Sequence, residues 1–338
     1  MWYALPMPRF LGRPWVRWKL RGLLGRLPSR SKIPLNFNRF NSKTRTPLRI
    51  AYLFSGTYGD FVQILKVLQT LTNALPGCDL VVWGANRYLQ EFGFQLPSSI
   101  RPARAVDIGC WLIFKRNLIF TNAVGVYRVR FDFMAYFCAK QAYGFRHAHE
   151  TDRGGFSNTI ALLPCVKNFA EENIRLLTLA GIASSDQKEA SKPWEKGEER
   201  ALILFHIGSA GLKRDFGLKV YTGLIFSILN HLADKNVEVI VGPGDEDIAL
   251  EVITGTRFVP KMFPVSRLIK TLETYPGTVL CFNSFFAHLC YYLNRPAIVI
   301  HRETVPYGYD CSSIHRQVVL KQKKGWDLSE VWESAGLK

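Results

Sequence analysis

Acidic residues are absent from the first 50 positions of this 338-residue chain, although twelve Lys and Arg side chains stand there. The other 288 residues carry 32 basic and 27 acidic groups, so most of the net charge of +17 belongs to one N-terminal arm. An arm without acids needs an anionic partner, which is either a nucleic acid or an anionic membrane surface.

The chain also lacks paired cysteines and long apolar runs. None of its seven cysteines forms a C-x-x-C pair, which argues against a disulfide framework and a cysteine metal site. Arg and Lys interrupt every apolar run near the N-terminus, so we expect neither a transmembrane helix nor a signal peptide there. No constellation of metal ligands is evident, and we expect no metal and no cofactor.

The arm contains a basic amphipathic pattern in residues 15–27, WVRWKLRGLLGRL. Its Val and Leu residues fall on one side of a helical wheel, its Arg and Lys mainly on the other, and Trp15 and Trp18 at the borders. This pattern suits the headgroup zone of a bilayer, so residues 9–30 are predicted to bind an anionic membrane surface. A helix packed on its own domain, a disordered tail and a nucleic-acid-binding arm are the alternatives. The nearly balanced charge of the rest of the chain argues against nucleic acid.

The residues after the arm alternate between strand and helix patterns. A buried strand is predicted at Arg49–Phe54, a helix at Phe61–Leu75 and a second strand at Asp79–Gly84. This βαβ order implies a parallel sheet. Further predicted elements are strands at Trp111–Phe114 and Val124–Phe131, a helix followed by a turn at Phe133–Phe145, and an amphipathic helix at Phe169–Ile182.

A polar, charged segment at residues 183–200 separates two halves of similar type. It is the best linker candidate, and it divides the chain into an arm (1–47), an N-terminal α/β domain (48–182) and a C-terminal α/β domain (201–338). The second half is predicted to contain strands at Ala201–Gly208, Thr278–Ser284 and Arg295–His301, a strand with a Gly-rich turn at Val237–Asp247, and helices at Leu218–Lys235 and Phe285–Asn294.

Four turns that follow predicted strands carry the candidate site residues. SGTYGD (55–60) places Asp60 at a helix start, where an acid is either an ordinary first-turn residue or part of a ligand site. HIGSAGLKRDFG (206–217) sets Lys213 and Arg214 after small residues, as suits a diphosphate, unless it is only a solvated loop. VGPGDED (241–247) offers acids to ribose hydroxyls or merely starts a helix. NSFFAH (283–288) contains an N-cap signal and His288, which alone is more often a core histidine.

In this order and spacing, the four turns resemble the lipopolysaccharide heptosyltransferase family, glycosyltransferase family 9, over about residues 48–310. The matching segments are IAYLFSGTYGDFVQILKVLQTL, FHIGSAGLKRDF, VGPGDED, AYGF and ENIRLLTLAGI. The family's Asp-Thr-Gly-x-x-His turn reads Asn283-Ser284-Phe285-Phe286-Ala287-His288 here, so the His is kept and Phe stands in place of Gly.

The resemblance implies the GT-B fold, in which two Rossmann-like domains with parallel sheets face each other across the active site. It also implies an inverting transfer of a sugar, heptose from ADP-heptose, onto the lipopolysaccharide inner core by a cytoplasmic enzyme on the inner face of the inner membrane. A catalytically silent GT-B relative that binds a saccharide or acts as a scaffold is the alternative, supported by Phe285 and the lost Asp.

The resemblance further assigns roles to individual residues. Asp60 is the general base, and Lys213, alone or together with Arg214, neutralises the leaving diphosphate. The nucleotide sugar is bound by His206, Gly208, Ser209, Arg214, Asp245, Glu246, Asn283, Ser284 and His288, and the acceptor by Gly56, Thr57 and Gly59.

Overall fold

The computed structural model divides the chain into two compact units, Met1–Gln187 and Lys188–Lys338. It describes residues 47–124, 128–148, 156, 158–162, 168–183, 202–302, 304–305, 308–320, 322–323, 325–326 and 328–335. The predicted membrane-binding segment 9–30 and nearly all of the predicted linker lie outside the described residues.

The first unit is built on a six-stranded sheet with the strand order β3-β2-β1-β4-β5-β6. All neighbouring strands pair in parallel, as the βαβ pattern predicts. The strands are β1 (Arg49–Leu53), β2 (Asp79–Trp83), β3 (Ile100–Pro102), β4 (Arg116–Thr121), β5 (Ala139–His147) and β6 (Asn158–Leu162).

The described part of this unit has five α-helices, of which four lie between successive strands and the fifth follows β6. The longest, α1, fills its inner face with Phe61, Ile64, Leu65 and Leu68, all fully buried, at the spacing of an amphipathic helix. The helices are α1 (Tyr58–Ala74), α2 (Asn86–Phe92), α3 (Ala105–Ile113), α4 (Val129–Cys138) and α5 (Phe169–Leu179), and a short 3₁₀ helix spans Gly93–Gln95.

The middle of this unit differs from the prediction. The predicted strand at Trp111–Phe114 is the end of helix α3 and the residue after it, and residues 129–131 of the predicted strand at Val124–Phe131 belong to α4. Residues 125–127 of that prediction lie outside the described residues. Short apolar runs do not distinguish a helix end from a strand, which is why both predictions are wrong. The predicted helix at Phe133–Phe145 ends at Cys138, where pairing with β4 and β6 makes the next nine residues a strand.

The second unit repeats the same parallel topology. Its six-stranded sheet has the order β12-β11-β10-β7-β8-β9, so the first strand lies between the second and the fourth in both units. The strands are β7 (Leu202–His206), β8 (Asn236–Val241), β9 (Lys261–Met262), β10 (Thr278–Phe282), β11 (Ile298–Arg302) and β12 (Arg316–Leu320), and a small hairpin pairs β13 (Gln322–Lys323) with β14 (Gly325–Trp326).

Helices of the second unit pack their apolar faces on this sheet. Tyr221, Ile225 and Ile228 of helix α7 join Phe205 and Phe282 of the strands in one buried core cluster. The described helices are α6 (Ala210–Phe216), α7 (Leu218–His231), α8 (Glu246–Gly255), α9 (Val265–Thr274), α10 (Phe285–Tyr292) and α11 (Ser329–Ala335). Helix α6 lies in what the sequence predicts as a loop. Across the described ranges, no helix has both the length and the apolar composition needed to cross a membrane.

Candidate functional site

The strand order of the second sheet reverses between β7 and β10. The chain leaves the sheet in opposite directions after these neighbouring strands, and open α/β sheets bind ligands in the crevice formed there, outside the carboxyl ends of the strands. Gly208 and Ser209 follow β7, and Asn283 and Ser284 follow β10. Four of the predicted nucleotide-sugar residues therefore lie at this switch point.

Two serines fix the switch point. The Ser209 hydroxyl donates to the Asn283 carbonyl at 3.0 Å, which ties the turn after β7 to the turn after β10. Ser209 also caps helix α6, since its side chain accepts from the Leu212 amide. Ser284 caps helix α10 in the same way through the Phe286 amide at 3.3 Å. The N-cap signal in NSFFAH is confirmed, and the start of α10 points into the crevice end of the sheet.

The carboxylate of Asp245 reaches this switch point from the turn after β8. A β-carbon added at Gly208 would overlap Asp245 Oδ2, so the absence of a side chain at Gly208 makes room for the carboxylate. Asp245 is almost wholly buried. Burial raises the pKa of its carboxyl to about 6, while the charge of Lys213 acts in the lowering direction.

His206 ends β7 beneath two phenylalanine rings. Its ring stacks on Phe286 with centroids 4.3 Å apart and meets Phe285 edge-on at 5.7 Å. His206 is fully buried, neither ring nitrogen has a hydrogen-bond partner among the described residues, and burial lowers its pKa to about 3. A neutral imidazole is therefore placed at the floor of the crevice.

The Phe285 ring covers part of the same floor. A β-carbon added at Gly242 would come within 2.8 Å of the Phe285 ring and 3.5 Å of His206 Nε2. The half-buried Phe285 side chain therefore lies over the glycine turn after β8 and beside the His206 ring. A bulky group stands where the resembled family has Gly.

Lys213 lies on helix α6 with an acidic neighbour. Its Nζ contacts both carboxylate oxygens of Asp247, at 3.0 and 3.1 Å. Arg214, the next residue, pairs with Asp215 and keeps a largely exposed side chain. Glu246 begins helix α8 and accepts from the Gly244 amide at 3.2 Å. Of the two predicted diphosphate cations, Lys213 is the one whose charge acts on Asp245.

His288 belongs to a different group of side chains. Its ring contacts Tyr309 at a centroid distance of 5.0 Å, and it neighbours His301 and His315. All three histidines are buried, and burial lowers the pKa of His288 to about 3 and those of His301 and His315 to about 4. The His315 Nε2 lies 2.9 Å from the Ala287 carbonyl of helix α10. The cluster therefore supports the helix whose start forms the switch point.

The first unit has its own switch point between β1 and β4, and Asp60 stands beside it. Asp60 is the third residue of helix α1 and forms a capping box with Thr57: Asp60 Oδ2 accepts from the Thr57 amide at 2.7 Å and the Thr57 hydroxyl at 3.0 Å. The Gly56 backbone has φ +152°, and a β-carbon there would overlap the Asp60 carboxylate. The predicted acceptor residues Gly56, Thr57 and Gly59 thus surround a buried, oriented carboxylate.

Two residues outside the motifs, Asn122 and Arg128, complete this turn. The Asn122 side chain, after β4, exchanges two hydrogen bonds with the Ser55 backbone, at 3.1 and 2.8 Å. Arg128 Nε donates to the Ser55 hydroxyl at 2.7 Å and leaves much of its guanidinium exposed. Asn122 and Arg128 follow β4, a strand that the sequence analysis did not predict, and they were missed for that reason.

Solved structures that this chain resembles include glycosyltransferases. A glycosyl transferase of family 9 from Veillonella parvula is 16% identical at a TM-score of 0.54, over 85% of this chain and 89% of that chain. Heptosyltransferase WaaC of E. coli with ADP-2-deoxy-2-fluoro heptose is 16% identical at 0.53, over 86% and 97%. The E. coli ADP-heptose lps heptosyltransferase II is 13% identical at 0.55, over 82% and 91%.

This chain has the GT-B fold of these glycosyltransferases. No model of a protein family matches the sequence, and neither does any curated protein. The likeness therefore rests on the structure, and it confirms the fold class that the four turns predict. In the part of the chain that the structure describes, no group of three or more His, Cys, Asp or Glu is arranged to hold a metal ion.

Proposed function

We propose that the protein is an inverting glycosyltransferase that transfers heptose from ADP-heptose to the lipopolysaccharide inner core. The observation that carries the proposal is the second switch point, where Gly208, Asp245 and the capped start of α10 meet at the carboxyl ends of β7, β8 and β10. Such crevices bind nucleotides in doubly wound sheets. Structures of the same fold include heptosyltransferase WaaC with ADP and with an ADP-heptose analogue, which supports this donor.

In the proposed reaction, Asp60 takes the proton of an acceptor hydroxyl while that oxygen attacks the anomeric carbon of the donor from the opposite face. The bond from the anomeric carbon to the diphosphate oxygen breaks, and ADP leaves with that electron pair. The two hydrogen bonds from Thr57 support this role because they hold the Asp60 carboxylate in one orientation.

Lys213 is proposed to stabilise the charge that develops on the leaving diphosphate. Its ion pair with Asp247 holds the ammonium group beside the start of helix α8. Arg214, whose side chain is exposed, is proposed to assist it. His206, Gly208, Ser209, Asn283, Ser284 and His288 are proposed to form or support the diphosphate side of the site, and Asp245 and Glu246 its ribose side.

The acceptor and the location of the enzyme are also part of the proposal. Gly56, Thr57 and Gly59 are proposed to line the acceptor side around Asp60. An acceptor embedded in the inner leaflet requires the enzyme to work at the cytoplasmic face of the inner membrane, and the basic residues 9–30 suit that surface. We keep the predicted domain limits, 1–47, 48–182, 183–200 and 201–338, as part of the proposal.

One observation favours a second function, a catalytically silent saccharide-binding or scaffold protein of envelope biosynthesis. The Phe285 ring lies over Gly242 and beside His206, in the space where the resembled family keeps a glycine. A ring there reduces the room for a diphosphate. The two functions differ in whether ADP binds.

The test is incubation with a panel of nucleotide sugars and truncated lipopolysaccharides, read by mass spectrometry, with ADP binding measured by calorimetry. We expect one heptose to be added to an acceptor that lacks it, with release of ADP. Addition of a different sugar would replace the proposed donor while keeping the transferase. No product from any donor, together with no ADP binding, would overturn the transferase and leave the silent protein.

A further inference from the structure

Helices α3 and α4 of the first unit expose an unusual share of large apolar side chains. Six of the twelve exposed large hydrophobic residues in the described part of the chain lie between positions 106 and 137. Exposed apolar side chains that occur singly need no explanation, but a cluster marks an interaction surface. The six are Val106, Leu112, Ile113, Phe114, Phe133 and Phe137, which we call the α3–α4 patch.

On helix α4, the exposed apolar residues are different from those that form the hydrophobic core. Its Phe131, Met134, Ala135 and Cys138 are buried in the core cluster of the unit at helical spacing. Phe133 and Phe137 lie elsewhere on the helix, one turn apart, with ring centroids 4.6 Å apart. An amphipathic helix normally turns polar side chains outward, so apolar residues on both faces imply a second apolar contact.

The two helices form one surface. Helix α3 contacts α4, and Trp111 of α3 lies in the same core cluster as Phe131 of α4. After Trp111, three consecutive apolar residues are exposed, and Ile113 and Phe114 keep 76% and 60% of their surface. The end of α3 thus exposes three consecutive apolar residues on a helix that packs against α4.

Positive charge is concentrated in the same segment. Residues 101–148 contain eight Arg and Lys and two Asp, a net charge of +6, whereas all residues beyond position 50 together carry +5. Both acids are withdrawn from the surface: Asp107 pairs with Arg101 at 2.9 Å, and Asp132 is buried. Arg104, Lys115, Arg130 and Lys140 are exposed. The patch is therefore apolar with a cationic border.

We propose that the α3–α4 patch is a membrane-docking surface that inserts into the headgroup zone of an anionic bilayer. Aromatic and aliphatic side chains enter that zone, and Lys and Arg around them contact the lipid phosphates. The surface lies in the folded first unit and is separate from the predicted membrane segment of the arm. It does not depend on the proposed transfer reaction, because vesicle binding is measured without donor or acceptor.

The positive charge around the α3–α4 patch bears on whether its partner is a bilayer or a second copy of the chain. A two-fold dimer through this surface would bring the same patch against itself and would place two cationic borders together. An anionic bilayer satisfies both the apolar residues and the cationic border. The matching chemistry therefore favours lipid over self-association.

Cys110 offers a local probe in the full chain. It is exposed on α3, whereas the other described cysteines are buried, and Cys165 lies outside the described residues. In a Cys165→Ser background, Cys110 is labelled with an environment-sensitive fluorophore and mixed with phosphatidylglycerol vesicles or with pure phosphatidylcholine vesicles. We expect the emission to rise about two- to threefold with a blue shift on the anionic vesicles only, as for a probe that leaves water.

Variants separate the patch from the arm. Ile113→Asp/Phe114→Asp is expected to abolish the emission change at Cys110 and to lower sedimentation with anionic vesicles by about fivefold or more. Leu250→Asp/Val259→Asp is the matched control, because these side chains are also highly exposed but lie in the second unit. The control should bind like the parent chain.

Three outcomes would overturn the proposal. The first is an unchanged Cys110 emission while the protein sediments with vesicles, which means that another segment binds. The second is equal vesicle binding of the patch variant and the parent. The third is that the patch variant loses a dimer, seen by sedimentation velocity, without any change in lipid binding. None of these outcomes bears on sugar transfer, so the two proposals fail separately.

Discussion

The carboxylate of Asp245 occupies the space that a side chain at Gly208 would fill, although the two residues follow different strands of the second sheet. A similar relationship exists in the first unit, where the Asp60 carboxylate occupies the side-chain space of Gly56. In both units a glycine after the first strand allows a buried acid to lie against the backbone at the carboxyl end of the sheet. Both acids are among those that the sequence motifs select.

Gly208→Ala should therefore destabilise the second unit by displacing the Asp245 carboxylate. We expect a loss of about 1–3 kcal/mol in the free energy of unfolding, measured by urea denaturation. The double variant Gly208→Ala/Asp245→Ala should recover much of this loss, because the overlapping carboxylate is gone.

Gly223→Ala is the matched control for this substitution. Gly223 lies in helix α7, and a β-carbon there meets nothing within 4 Å. It should stabilise the protein by about 0.5–1 kcal/mol through helix propensity. Equal effects of the two alanines, or additive effects in the double variant, would contradict the relationship between Gly208 and Asp245.

Much of the fold could be predicted because several strands and helices of each unit follow simple sequence patterns. The predicted strand at Arg49–Phe54 and helix at Leu218–Lys235 differ from the structure by a few residues at their ends. The centre of the first unit was not predictable: β5 contains Ala139, Ala142 and Gly144, which have no strand preference, and its pairing with β4 and β6 decides its state.

The sequence alone reveals the motifs of the candidate site, but it does not reveal the contacts that these motifs make with one another. Asp60 was recognised from the helix start, and the structure shows that it also caps that helix through Thr57. The overlap of Asp245 with Gly208 joins two turns 37 positions apart, and no local pattern reveals it. Arg128 was missed because β4, which places Asn122 beside Ser55, was not predicted.

Asp60→Asn separates the two roles of that residue. The amide keeps an oxygen that accepts from Thr57, so we expect a stability loss of about 1 kcal/mol or less. Because an amide takes no proton, sugar transfer should fall by about 10²-fold or more. Urea denaturation and product mass spectrometry measure the two effects.

Asp107→Asn is the control for this experiment. Asp107 accepts from the Arg104 amide at 2.8 Å and caps helix α3 as Asp60 caps α1. Its substitution also weakens the ion pair with Arg101, so it should cost at least as much stability while leaving transfer unchanged. A folded Asp60→Asn variant that transfers at the parent rate would show that the general base is another group.

The buried histidines should make the second unit sensitive to acid. Burial holds the pKa values of His206 and His288 at about 3 and those of His301 and His315 at about 4, whereas an unfolded histidine titrates near 6.5. The unfolded state then binds more protons, so stability that is present above pH 6.5 is lost as the pH falls towards 4. We expect a steep decline in the urea midpoint over this range.

His301→Leu should weaken that decline. His301 is buried and lacks a hydrogen-bond partner among the described residues, so a leucine of similar volume removes only the titration. At pH 5 the variant should gain about 1–2 kcal/mol over the parent, with little difference at pH 8. His231→Gln, at an exposed position, should leave the pH profile unchanged. Equal pH profiles of the His301 variant and the parent would contradict the prediction.

Asp245 acts in the opposite sense. The pKa of its carboxyl is about 6 in the folded protein and 3.8 in the unfolded chain. Its contribution to the free energy of unfolding is therefore complete below pH 3.8 and is lost as the pH rises through 6. Asp245→Asn should therefore steepen the rise in stability between pH 4 and pH 6, because the falling contribution of Asp245 no longer offsets that of the histidines. An unchanged profile over this interval would show that Asp245 titrates normally.

Phe285→Gly tests whether the ring limits nucleotide binding. The substitution removes the side chain that lies over Gly242 and beside His206, and it restores the residue of the resembled family. We expect ADP to bind about tenfold more tightly by calorimetry, because the diphosphate gains access to the turn and to the ring nitrogens of His206. Phe285→Leu keeps most of the bulk and should bind ADP like the parent. If the leucine and glycine variants both bind ADP and with the same affinity, the size of the side chain at 285 does not control the site. The main support for the silent alternative is then removed.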